Sequence, residues 1–80
     1  MIEYPTEYVF KAMGLLGISA RIRELVEGIV GPLSDDAFAE RPSSKGRYVS
    51  VSVSVRLLDE EQRKRVYQAF HSEKAIVWYV

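Results

Sequence analysis

Tyr48-Val49-Ser50-Val51-Ser52-Val53-Ser54-Val55-Arg56-Leu57 alternates without a break between apolar and polar side chains. Successive side chains on a strand point to opposite faces, so Val49, Val51, Val53, Val55 and Leu57 share one face and Tyr48, Ser50, Ser52, Ser54 and Arg56 the other. A strand of this kind is buried on one side only, which predicts a sheet covered by helices on one face and polar on the opposite one.

Immediately before this strand, Ser43-Ser44-Lys45-Gly46 reads as a turn, because glycine supplies the positive φ that tight hairpins need. Asp36 to Pro42 is then its predicted hairpin partner, anchored by Phe38 and kept short and edge-like by Asp35-Asp36 and Pro42. Further upstream, Gly31-Pro32 ends a helix, since glycine tolerates a left-handed terminal residue and proline lacks the donor needed to continue. In that helix Ile22, Leu25, Val26, Ile29 and Val30 have the spacing of one buried stripe, and Ser19 is its predicted cap. Pro5 leads into a first strand, Thr6 to Met13, with Thr6, Tyr8, Phe10 and Ala12 toward the core and Glu7, Val9, Lys11 and Met13 away from it.

Downstream, Asp59 is expected to cap a second helix, with Gln62 as the reciprocal member of a capping box and Glu60 and Glu61 at the positive end of the dipole. Val66, Tyr67 and Phe70 form its core stripe. Ala75 to Val80 is the last strand, in which Ile76, Trp78 and Val80 oppose Val77 and Tyr79. Strand, helix, strand, strand, helix, strand is the split βαβ order, for which right-handed crossovers leave one compact solution. The predicted fold is an α+β ferredoxin-like sandwich, βαββαβ, an antiparallel sheet ordered 4-1-3-2 with both helices on one face.

The 80 residues leave room for one hydrophobic core, so residues 1–80 are expected to form a single domain. With 48% hydrophobic and 28% charged residues the composition is that of a folded chain. Eleven Lys and Arg balance eleven Asp and Glu, so no net field favours a phosphate backbone and nucleic acid is not the expected partner. The absence of cysteine removes disulfides, thiolate nucleophiles and the soft ligands of structural zinc. No basic stretch followed by an apolar run opens the sequence, and nowhere do eighteen apolar residues run together. A soluble cytoplasmic protein without membrane contact is expected.

Two segments resemble the YbeD-like family of small bacterial proteins of unknown function: Tyr4-Pro5-Thr6-Glu7-Tyr8-Val9-Phe10-Lys11-Ala12-Met13-Gly14 and Arg41-Pro42-Ser43-Ser44-Lys45-Gly46-Arg47-Tyr48-Val49-Ser50-Val51. The resemblance implies a ferredoxin-like fold, akin to the amino-acid-binding regulatory ACT domains, and a bacterial source. It brings no catalytic residues with it.

Four surfaces are candidates for function. The basic turn Ser43, Ser44, Lys45, Gly46 and Arg47 offers hydroxyls, amides and two cations to an anion. Gly14 and Gly17, in the approach to the first helix, suggest an ACT-like site for an amino-acid carboxylate at the helix start. The polar face of the sheet presents Lys11, Ser50, Ser52, Ser54 and Arg56, with Val9, Met13 and Tyr79 beside them. Serines stand there where RNA-binding sheets carry stacking aromatics, which favours a protein partner or a second copy of the chain over RNA. Trp78 and Tyr79 point to opposite faces of the last strand, so one of them is left for a partner to cover. Catalysis has no support: His71, the one histidine, ends a helix, and the acidic groups Asp35-Asp36 and Asp59-Glu60-Glu61 belong to a polar loop and a helix start. No enzyme, cofactor or metal is expected.

Overall fold

The computed structural model describes residues 2–43 and 45–80 and has the element order β1 (Thr6–Leu15), α1 (Ile18–Val30), β2 (Phe38–Pro42), β3 (Tyr48–Leu57), α2 (Glu60–Ser72) and β4 (Ile76–Tyr79). All neighbouring strands are antiparallel, in the order β2-β3-β1-β4, which is the predicted 4-1-3-2 arrangement read from the other edge. β1 and β3 pair over their full lengths, from Thr6 opposite Leu57 to Leu15 opposite Tyr48. The valines of β3 join Phe10, Ala12, Ile18, Ile22, Val26, Val66, Phe70 and Ile76 in one core beneath the helices. Among the described residues, no polar side chain is buried. The core therefore draws its stability from apolar burial rather than from internal polar pairs.

Several boundaries differ from the sequence reading. β1 runs two residues further, to Leu15, and α1 begins at Ile18. Its cap is Gly17 in a left-handed conformation (φ 95°), without a side-chain cap bond, so Ser19 lies inside the first turn. A tight connection from strand to helix reverses the chain before Ser19 could act, and glycine adopts that backbone most readily. Asp36 and Ala37, expected as the start of the second strand, belong instead to a 3-10 turn, Asp35–Ala37, that delivers the chain to Phe38, where β2 begins. Asp59 caps α2 as expected, its carboxylate accepting from the Gln62 amide at 2.9 Å. The Gln62 side chain, however, reaches one residue further back, its Oε1 accepting from the Leu58 amide at 2.8 Å.

The largest departure is in β4. Gly14 pairs with Ile76 but Met13 pairs with Trp78, so Val77 is an extra residue, a bulge. The strict alternation expected for Ile76 to Val80 breaks there. Ile76 and Tyr79 both turn to the helices, Tyr79 against Tyr67 and Phe70 with ring centroids 6.0 and 6.1 Å away. Trp78 goes to the open face, where Tyr79 was expected.

Candidate functional site

The open face of the sheet is built in rows that the strand register defines. One row runs Arg41, Ser50, Met13, Trp78 from β2 to β4, because Arg41 pairs with Ser50, Ser50 with Met13 and Met13 with Trp78. The next runs Ala39, Ser52, Lys11, Val80; Lys11 and Val80 exchange backbone hydrogen bonds of 2.9 and 2.8 Å. Beyond these lie Ser54 beside Val9 and Arg56 beside Glu7, while Leu15 beside Tyr48 closes the opposite end. Small side chains at Ala39, Ser50 and Ser52 lower the floor between taller neighbours, leaving a shallow depression of about 400 Å³ with Lys11, Arg41 and Trp78 at its rim. The predicted face residues Lys11, Ser50, Ser52, Ser54 and Arg56 are thus together on this surface. Val9, Leu15, Trp78 and Val80 give it an apolar share, each about half exposed (50, 51, 52 and 54%).

Charge is divided between the two layers of the molecule. Among the described residues, every ion pair involves a cation of a helix: Arg21 with Glu24 and Glu73, Arg23 with Glu27 and Asp35, Arg63 with Glu60. The strands and the β2–β3 hairpin carry Lys11, Arg41, Lys45, Arg47 and Arg56 against Glu7 and Glu40, and none of these cations joins an ion pair among the described residues. Zero net charge therefore conceals a basic sheet side.

The other two candidates meet at one end of the sheet. In the hairpin, the Ser43 amide donates to the Tyr48 carbonyl (2.8 Å), its hydroxyl accepts from the Tyr48 amide (3.2 Å), and the Gly46 amide donates to the Ser43 carbonyl (2.9 Å). Gly46 has the positive φ, 71°, that this turn requires; Ser44 lies outside the described residues. The Leu16 amide donates to the Arg47 carbonyl at 3.3 Å, which ties the Gly14–Gly17 approach to the hairpin. A recess of about 480 Å³ is lined by Ser43, Lys45, Arg47 and Tyr48. Gly14 itself offers no space: a Cβ there would lie 2.5 Å from the Ala75 carbonyl oxygen and 2.8 Å from Ile18 Cγ1. Its small size serves the packing of β1 against the entry to β4 and α1.

Beneath α2 lies a polar and aromatic cluster that the sequence reading did not single out. Arg63 donates through Nε and Nη2 to both oxygens of Glu60 at 2.7 and 2.8 Å, and the Tyr4 hydroxyl donates to the same carboxylate. The Arg63 guanidinium, then Tyr4, hold the Glu60 carboxyl down at about 2. The Tyr8 and Tyr67 hydroxyls lie 2.7 Å apart, and burial, then Tyr8, pushes Tyr67 up to about 12. The spacing from Glu60 to Arg63 is a visible i,i+3 signal, but Tyr4 and Tyr8 join it only through the tertiary fold. His71 Nδ1 lies 3.1 Å from the Tyr79 hydroxyl, a contact that orients the ring at the end of α2. Among the described residues, no group of three or more His, Cys, Asp and Glu is placed to hold a metal ion. Among the described residues, no helix is long and apolar enough to cross a membrane.

A family model described as a protein of unknown function, DUF493, matches residues 1–80. A UPF0250 protein from Janthinobacterium sp. (strain Marseille) is 33% identical over 81 residues, covering 95% of this chain and 86% of that protein. The UPF0250 protein YbeD of Escherichia coli is 32% identical over 73 residues, covering 85% of this chain and 78% of that protein. The solution structure of HP0495 from Helicobacter pylori superposes with a TM-score of 0.81 at 18% identity, covering 100% of this chain and 86% of that one. At that identity the likeness is one of fold.

Proposed function

This chain belongs to the family described as a protein of unknown function, DUF493, with YbeD among its relatives, and we propose that it works as a binding module in which a protein covers the open face of the sheet. The observation that carries this reading is the depression in which a half-exposed Trp78 and Arg41, in no ion pair among the described residues, flank a floor lowered by Ala39, Ser50 and Ser52. Interfaces are enriched in tryptophan, methionine and arginine at their centres, and small residues let a partner's backbone approach. The reading includes no catalytic step and places the protein in the cytoplasm. Immobilised protein is expected to retain a bacterial protein that a Val9→Ser/Trp78→Ser variant of unchanged melting temperature does not retain. Retention of the same proteins by both would reject the open face as the binding surface, and sedimentation of the free chain reads out whether the partner is a second copy.

A second reading, a sensor of an amino acid or another small anion, draws on the recess at Ser43, Lys45, Arg47 and Tyr48 and on the Leu16–Arg47 bond beside it. A ligand that binds only the folded state raises the melting temperature, so screening the free amino acids by thermal unfolding checks it. A shift that Lys45→Ala/Arg47→Ala abolishes supports the sensor; no shift with any of them removes it.

A further inference from the structure

Resting on the reading that the open face is a binding surface, we propose that its occupant is an acidic and apolar protein segment, an amphipathic helix with carboxylates beside its apolar stripe, and not a second copy of this chain. The argument is one of charge complementarity. Across the middle of the face Lys11 and Arg41 join no ion pair among the described residues, and the apolar side chains Val9, Trp78 and Val80 lie along the β1–β4 side. A wholly apolar partner that covered the face would strip water from both cations, which is costly, whereas one bringing carboxylates would pair them on contact. Two copies stacked face to face would join two surfaces that each carry Lys11, Arg41 and Arg56 against Glu7, and that excess of like charge across the interface disfavours the pairing. Stacking an open face on the carboxylate-rich helix layer of another copy is head-to-tail and would build rings or filaments, which sedimentation of the free chain distinguishes from a monomer that awaits another protein. Trp78 is the single aromatic side chain in the two central rows, with Tyr48 at the hairpin end of the face, a sparser stacking platform than a strand of bases uses, so the surface suits a polypeptide better than a nucleic acid.

Trp78 is also the one tryptophan of the chain, so its fluorescence reports on this face alone. The probes are a synthetic helical peptide with glutamates flanking a leucine stripe, the same peptide with lysines for the glutamates, and a ten-residue oligouridylate. The glutamate–leucine peptide is expected to shift the Trp78 emission saturably, and to lose affinity at about 1 M salt, where charges are screened beyond about 3 Å. The lysine–leucine peptide is expected to bind at least about tenfold more weakly, and a Lys11→Glu/Arg41→Glu variant to reverse that order. Equal binding of both peptides would overturn the acidic partner while leaving the face a binding surface. Tighter binding of the oligouridylate would assign the face to nucleic acid, and a salt-sensitive dimer of the free chain lost in Lys11→Glu/Arg41→Glu would assign it to a second copy. No Trp78 response to any probe, with the chain monomeric, would overturn this proposal and the reading beneath it together.

Discussion

Gly14 is fixed by its neighbours: with the Ala75 carbonyl and the Ile18 side chain already in the space of a Cβ, Gly14→Ala has to push β1 away from the start of α1. Overfilled cores lose about 1–3 kcal/mol, so urea denaturation of this variant is expected to show a loss in that range without a change of fold. An unaltered midpoint would mean that the contact gives freely. Glu60 makes a different kind of prediction. Its carboxyl is held at about 2, below its ordinary value of 4.5, so the folded state gains from its ionisation above pH 4.5 and loses that gain as the pH falls toward 2. Glu60→Gln is expected to melt below the wild type at neutral pH and to fall less steeply between pH 4.5 and 2; parallel curves would contradict the Arg63 and Tyr4 contacts. The sequence singles out Gly14 as part of a ligand loop and Glu60 as an acid at a helix start, and neither for the contact that fixes it. A close approach of backbone to Gly14 and a bond from Tyr4 to Glu60 span many residues of chain, and no local pattern reports them.

The elements divide by how locally they are determined. β3 was legible to the residue because its alternation is complete, and the end of α1 because Gly31, with φ 92°, and Pro32 act within two positions. Asp59 was legible as the α2 cap for the same reason. Asp59→Ala removes the acceptor of the Gln62 amide, and loss of such a cap costs about 1 kcal/mol, measurable as a lowered denaturation midpoint that Asp59→Ser largely restores. The start of α1 was misplaced because Ser19 satisfies a cap pattern while the three-dimensional turn at Gly17 decides where the helix begins. β4 was misread for a related reason. Val77 and its neighbours look like any apolar strand, and the bulge is set by the partner, at the step between Met13 and Gly14. That one extra residue exchanges Trp78 for Tyr79 on the open face, and with it the identity of the aromatic available to a partner.

At the scale of the whole molecule, composition is silent on how charge is distributed. An equal count of cations and carboxylates implies no net field and leaves only a local patch possible, and the fold supplies one: Glu24, Glu27, Asp35, Glu60 and Glu73 pair with arginines of the helical layer, while the sheet side keeps cations in excess. Charge segregation depends on which residues the fold brings to each side, so it becomes visible only with the topology. The open face itself was foreseen from the Val/Ser alternation; its basic character and Trp78 were not. The most direct measurement is the quenching of Trp78 fluorescence by iodide and by caesium, each relative to free N-acetyl-tryptophanamide. An exposed tryptophan on a basic face predicts that iodide quenches disproportionately well, and that the excess disappears in Lys11→Glu/Arg41→Glu. Equal relative quenching by the two ions, or a blue-shifted emission that neither ion reaches, would contradict the account.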